Sequence, residues 1–327
     1  MHTDPTQPTP ALEVPVTRPH TLRVLHTSEA AVAATLAPLL SVEAEYGAVV
    51  VEGSEYTAAH HQPKGSPYAG DHVVEGGRPA PCNDEGIPCL SAHEGVVLVS
   101  HLDLDTVGGV LRAYAHTSFL FDPEWAKGFW KLAAFVDTNG PHKRHLAGAT
   151  DEDLARLDAW WAWLKANVPR LPRQGVTDVT DLVAEDCYTA LCNILTNNPH
   201  YLEAGKRFRE AEEALNTASF VAMNPRTGLI IRRAPAEDDF VNHLYRTPVG
   251  IGRAIVAHNP ATGSITVSLA DPVPGVSCLV LVQRLWGALA GGHPGIAGSP
   301  RDRAMMQADV ESAVQALEEA LDLAGAL

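Results

Sequence analysis

The apolar positions along the chain change texture twice. Between Thr21 and about Asp137, short unbroken apolar runs alternate with longer segments of helical spacing. "TLRVLHTS" (21–28), "YGAVVVEG" (46–53) and "GVVLVSH" (95–101) are compact runs rich in valine and leucine, which predict buried strands. "EAAVAATLAPLLSVEAE" (29–45) and "DTVGGVLRAYAHTSFL" (105–120) carry apolar residues every three or four positions and predict helices. "KLAAFVD" (131–137) reads as a further strand or a helix end. Strands alternating with helices predict a parallel sheet covered on both faces, with ligands at the carboxyl ends of its strands.

From Asp151 the pattern becomes helical, through "DEDLARLDAWWAWLKANV", "TDLVAEDCYTALCNILTN" and "YLEAGKRFREAEEALNTAS". Trp160, Trp161 and Trp163 read first as packing residues, with nucleobase stacking as the alternative. From Phe220 strands return as "GLIIRRAP", "RAIVAHN" and "SITVSLAD", the last two joined by the hairpin signal "NPATGS". A last amphipathic helix, "ADVESAVQALEEALDLA", follows "LVQRLWGALAGGHPGIAGSP". The expected fold class is therefore α/β. A parallel-sheet domain spans 1–150, a helical connector 151–219, and a smaller mixed α/β domain 220–327.

Composition narrows the partners. With 24 basic and 39 acidic residues the net charge is −15, which excludes a wide basic face for a long duplex nucleic acid. A small or short anionic substrate stays open, because a metal ion can supply local positive charge. No run reaches the length of a membrane span, and the first twenty residues lack the apolar block of a signal peptide. The five cysteines have neither zinc-ribbon spacing nor an even count, so reduced thiols and a cytoplasmic setting are expected. No membrane partner is expected, and a homodimer is compatible with the sequence.

Four stretches carry candidate chemistry. After the run at Val96–Val99 come His101, Asp103 and Asp105, then Gly108 and Gly109. Alternate positions of an extended segment point to one side, so one nitrogen and two carboxylates would converge, a set suited to manganese, iron or zinc. The other reading is a surface turn with Asp105 capping a helix. "YTAAHHQPKGSPYAGDH" supplies His60, His61, Asp71 and His72 in a long polar loop. "AAFVDTNGPHKRH" places Asp137 as a further metal-ligand candidate, with His142, Lys143, Arg144 and His145 able to meet phosphate oxygens. "AGGHPGIAGSPR" holds Gly291, Gly292, His293, Gly298 and Arg301, where glycines permit close backbone approach to a ligand.

Together these stretches resemble the DHH phosphoesterase superfamily. "SHLDLDTVGG" is similar to its first motif, H-x-D-x-D-x-x-G, and "FVDTNG" to its later Asp-Thr-Gly motif. "SITVSLAD", "LVQRLWGALAGGHPGIAG" and the last helix are similar to its DHH-associated C-terminal domain. The nearest string to Asp-His-His itself is Ala59-His60-His61, upstream of the first motif. The resemblance implies a metal-dependent hydrolysis of a phosphoester in a small nucleotide or short oligonucleotide. A divalent cation (manganese first, magnesium or zinc as alternatives) would sit on His101, Asp103, Asp105 and Asp137, with His60 completing a second site. His60, His61, Asp137 and His142 would serve catalysis. Gly291, Gly292, His293, Arg301 and Arg253 would clamp the substrate. The rival expectations are a nucleotide-binding protein that has lost catalysis and an unrelated metal-dependent hydrolase.

Overall fold

The computed structural model describes residues 22–44, 46, 54, 56–59, 72–75, 90, 93–114, 119–121 and 123–325. Its first sheet is built from β1 (Leu22–His26), β2 (Leu40–Val42), β3 (Tyr56–Ala59), β4 (His72–Glu75) and β5 (Gly95–Val99), with the short helix α1 (Ala30–Ala33) after β1. These five strands are parallel, and β5 lies between β1 and β2. Leu22 to His26 register with Gly95 to Val99, so the two strands end level with each other. Leu22, Val24, Leu40, Val42, Val97, Leu98 and Val99 are all fully buried, as expected of strands covered on both faces.

Helix α2 (Leu104–Arg112) leaves β5, and α3 (Glu124–Asn139) runs into a 3₁₀ turn at Pro141–Leu146. Helix α4 (Asp151–Asn167) begins at Thr150, whose hydroxyl accepts from the Asp153 amide at 3.1 Å. Three acidic residues in its first turn complement the helix dipole. β6 (Thr177–Asp178) then pairs antiparallel with β1. A π-helical turn at Leu182–Cys187 leads into α5 (Tyr188–Leu195), and α6 (Pro199–Ala218) follows. One apolar core runs from the first sheet through Trp160, Leu157 and Leu191 of these helices.

The second sheet holds β7 (Phe220–Met223), β8 (Leu229–Arg233), β11 (Ala254–Asn259), β12 (Ser264–Leu269), β13 (Gly291–Gly292) and β14 (Ile296–Gly298). The small hairpin of β9 (Arg246–Thr247) and β10 (Gly250–Ile251) stands beside it. The strand order is β13-β14-β12-β11-β8-β7, parallel only between β8 and β11. Helices α7 (Cys278–Trp286) and α8 (Gln307–Gly325) cover one face. On the other face the fully buried Arg232 donates to the carbonyls of Leu244 (2.7 Å), Asn216 (2.8 Å) and Arg246 (2.6 Å), and to the Ser219 hydroxyl (2.7 Å). Burial still pulls its pKa down to about 10. Among the described residues no helix is long and apolar enough to cross a membrane.

The mixed α/β architecture and its parallel sheet agree with the sequence pattern, but several elements differ. The helix expected over 29–45 is confined to Ala30–Ala33, and Leu40–Val42 forms a strand instead. Pro38 cannot continue a helix, and Leu40 and Val42 gain full burial against β5 and β3. Of the strand expected over 46–53, only Tyr46 lies within the described residues. The helix expected over 105–120 ends at Arg112. Residues 131–137 belong to α3, whose Phe129, Leu132, Ala133 and Val136 are buried at helical spacing. Cys187, Cys192 and Cys278 are free thiols, and burial pushes the Cys187 thiol up to about 12.

Helices α4 and α6 meet at Gly205, where a Cβ would come within 2.5 Å of the Ala159 amide nitrogen. Relief requires the two helix backbones to separate. Gly205→Ala should therefore lower the unfolding free energy by about 1–3 kcal/mol, despite a gain in helix propensity of about 1 kcal/mol. Urea unfolding monitored by circular dichroism measures this; a stabilised variant would show that the helices have room to part.

Candidate functional site

β5 stops at Val99 because the chain turns into α2 there, and the turn is built from the candidate ligands. Asp103 is the N-cap of α2, its carboxylate accepting from the Thr106 amide at 3.2 Å. Asp105 sits in the first helical turn and is 5% exposed. His101, Asp103 and Asp105 are thus brought together by a strand-to-helix turn, not by the alternation of an extended strand. The cap is Asp103 and not Asp105, since only Asp103 precedes the open amides of the first turn.

Other chain ends arrive at the same place. Glu43 directly follows β2, fully buried and with φ of 43°. Asp137 lies near the end of α3. Burial first, and then the charges of Asp103, Asp137 and Glu43, push the Asp105 carboxyl well above its ordinary range. For Asp103, burial alone would raise the carboxyl, but the adjacent His101 outweighs it and holds it low. Carboxylates that repel one another in a buried pocket form a donor set suited to a hard divalent cation. In that sense the carboxylates fit a metal, with Asp103, Asp105 and Asp137 as the groups able to hold it and His101 able to join them only once one of its ring nitrogens is freed. Among the described residues no three histidine, cysteine, aspartate or glutamate side chains already converge closely enough to do so.

His101 has a defined orientation. Arg301 reaches across from the second domain and donates to the Ser100 hydroxyl at 2.7 Å and to His101 Nδ1 at 2.8 Å. Because a guanidinium only donates, Nδ1 must accept, which leaves the proton on Nε2. Nε2 then donates to Asp103 Oδ2 at 2.9 Å. Ser100 in turn donates to the Glu43 carbonyl at 2.8 Å.

A cleft of about 1110 Å³ separates this wall from the second domain, and His101, Asp103, Asp105 and Asp137 line one side of it. Gly291, Gly292, His293 and Arg301 line the other. The pair β13–β14 folds back at His293, whose amide donates to the Ile296 carbonyl at 2.6 Å. Gly292 has φ of 132°, and a Cβ there would lie 2.6 Å from the Ala297 Cα, so only glycine fits this turn.

The remaining candidates are placed elsewhere. Arg253 is exposed and does not line the cleft. His142 Nε2 donates to the Ala270 carbonyl at 2.8 Å, and its ring lies 4.5 Å from that of Tyr245, so it fastens the turn after α3 to the end of β12. Lys143 pairs with Asp271 at 3.0 Å, Arg144 pairs with Asp158, and His145 is exposed. Gly108 and Gly109 are buried inside α2. His60, His61 and Asp71 lie outside the described residues, and His72 falls in β4.

Sequence reasoning passed over His26, Glu43 and Tyr46. His26 ends β1 as His101 follows β5; its Nε2 donates to the Ser100 carbonyl at 3.1 Å. Burial, with His101 and Arg301 nearby, lowers its pKa to about 4. A histidine closing an apolar run was a usable signal. Glu43 gave none, because its segment read as helix. Tyr46 lines the cleft and donates to the Thr27 carbonyl at 3.0 Å.

No family model matches the chain, and no curated protein matches it. Among solved structures, RecJ from Thermus thermophilus in complex with Mn2+ aligns with a TM-score of 0.40 and 16% identity, over 92% of this chain and 52% of that one. An uncharacterized protein from Helicobacter pylori aligns with a TM-score of 0.19 and 10% identity, over 72% of this chain and 80% of that one. The chain spans about half the length of the RecJ structure.

The crowding of Asp105 by other carboxylates makes a prediction about stability. Asp105→Asn should stabilise the metal-free protein at neutral pH by about 0.5–2 kcal/mol, because a carboxyl whose pKa rises on folding must either take up a proton or bear the repulsion, and an amide does neither. Differential scanning calorimetry in EDTA reads this as a raised Tm. A lowered Tm would mean that the Asp105 carboxylate is satisfied without any cation.

Proposed function

We propose that the cleft hydrolyses a phosphoester of a small nucleotide or short oligonucleotide, using a divalent cation held by His101, Asp103, Asp105 and Asp137. Manganese is the first choice and magnesium or zinc the alternatives. The observation that carries the reading is the facing of two unlike walls. Carboxylates gathered beyond the carboxyl ends of a parallel sheet, with Asp105 buried among them, oppose a glycine turn with His293 and Arg301. The resemblance of both stretches to DHH phosphoesterase motifs supports the same conclusion.

A cation at the acid cluster would supply Lewis-acid neutralisation of phosphoryl charge. The chain's own groups do the rest. Arg301, already 2.8 Å from His101, is placed to meet a phosphate oxygen with its donor fork. The backbone at Gly292 lets substrate approach closely. In the arrangement seen, His101 holds Asp103 through Nε2–H while Nδ1 accepts from Arg301; ligating the cation through His101 would require Arg301 to leave Nδ1 or Nε2 to give up its proton. His60 and His61 stay assigned to catalysis from sequence alone.

A nucleotide-binding protein without catalysis is the second reading. It is favoured by the lack of three converged donors among the described residues and by Arg301 occupying the free side of His101. Metal analysis together with a manganese-dependent assay on a short oligonucleotide and a generic phosphodiester decides between the two. Asp103→Ala should lose metal and at least about 100-fold in kcat/KM while staying folded. His293→Ala should raise KM with metal content unchanged. Full metal content in Asp103→Ala would remove the cluster as the cation site, and an unchanged KM in His293→Ala would reduce the glycine turn to scaffold.

A further inference from the structure

The three tryptophans of α4 separate in the structure. Trp160 is fully buried and its ring lies 5.3 Å from that of Trp163, in the core. Trp161 lines the cleft instead. It belongs to a row on one helix face, Leu157, Trp161, Leu164 and Val168, all of which line the cleft. The row is ~16 Å long at the helical rise per residue. Phe208 of α6 adds a second ring, its centroid 6.3 Å from that of Trp161 at an angle of 47°. Phe240 of the second domain, 61% exposed, lines the same space.

This part of the cleft is not built for a phosphate. Its cations are already committed: Lys165 pairs with Asp239 at 2.6 Å and Asp238 at 3.6 Å, and Arg170 pairs with Glu237 at 3.5 Å. Arg144, 6.0 Å over the Trp161 ring, pairs with Asp158. An anion entering here would meet paired charges and aromatic carbon. A flat, uncharged ring would meet two half-buried aromatic side chains in a cavity continuous with the acid cluster.

We propose that Trp161, with Phe208, forms a subsite that stacks the nucleobase of the substrate while its phosphate lies between the acid cluster and the glycine turn. This rests on the phosphoester reading above and adds to it which residues hold the base. Stacking tolerates any base, since every base has a π-face, so the subsite selects nucleotides over sugar phosphates and does not select among nucleotides.

The test compares AMP with ribose 5-phosphate, which differ only by the base, titrated calorimetrically into the full chain in manganese and again in EDTA. The wild type should bind AMP more tightly, and Trp161→Ala should lose roughly 5- to 150-fold of that preference, the range of one base stack. Affinity for ribose 5-phosphate should stay unchanged, and Trp161→Phe should keep most of the preference. Phe208→Leu gives a second variant should Trp161→Ala fail to fold. Equal affinity of the wild type for both ligands, or a base preference untouched in Trp161→Ala and Phe208→Leu, overturns the proposal. Its failure is distinct from that of the phosphoester reading. Base-dependent binding without turnover of any phosphoester defeats that reading and leaves the subsite standing. Turnover with equal KM for base-free and base-bearing phosphodiesters defeats the subsite alone.

Discussion

Like charge held in a buried space is the constraint around which this molecule is arranged. Asp103, Asp105, Asp137 and Glu43 act on one another where β2 and β5 end. Left to itself such a group would spread apart or take up protons. It cannot spread apart, because each carboxylate hangs from an element fixed by apolar packing, and Asp105 is instead driven toward holding a proton. Val97, Leu98 and Val99 precede the turn, Val107 and Val110 follow it in α2, and Leu132 and Val136 sit beneath Asp137; all are in the core. The hydrophobic burial of a doubly covered parallel sheet is what sustains the repulsion. A site strained in this way is biased toward binding positive charge.

The second domain answers that bias. Arg301 reaches Ser100 and His101 beside the cluster, and it arrives on a loop that is itself tied down. Arg173, from the segment between α4 and β6, donates to the carbonyls of Arg301 (2.6 Å) and Arg303 (2.7 Å), and also to that of Thr262. His142 makes the reverse link, from the first domain to the Ala270 carbonyl. Lys165 with Asp239 and Arg170 with Glu237 close a third side. The cleft is therefore a defined space with polar fastenings around its edge. Such fastenings hold two bodies at one spacing, yet each is weak enough, at about 0–1 kcal/mol for an exposed pair, to be exchanged when a ligand competes.

Much of this was readable in the chain, and the reason differs between elements. β5 was legible because uninterrupted valine and leucine leave no other use for a segment, and β1 because its leucines and valine outweigh the single exposed Arg23. Helices α4, α6 and α8 were legible from caps, helix formers and spacing. The strand β2 was not, since three residues of strand carry no period of their own and helix formers precede them. Its misassignment hid Glu43, which matters only because β2 places it next to β5. The triad at His101, Asp103 and Asp105 was found as a group, but for a geometric reason that does not apply, since a capped helix and not a strand gathers it. Tyr46, brought in by tertiary approach, has no local pattern to announce it. His142 had a pattern suggestive of phosphate contact, and its actual partner is a carbonyl 128 residues away.

The two halves of the cleft divide the work of recognition by dielectric and charge. Near the sheet, buried carboxylates make the space selective for whatever delivers positive charge, and Arg301 with the glycine turn makes it selective for what then needs neutralising. Along α4 the wall is apolar and its neighbouring cations are paired. A ligand matching both regions must be anionic at one end and flat and uncharged at the other. Net charge of −15 over the whole chain repels polyanions in general, so entry favours short molecules whose few charges are met at one end. The net negative charge and the proposed cleft for a small nucleotide are compatible, because the attraction is local and the repulsion is global.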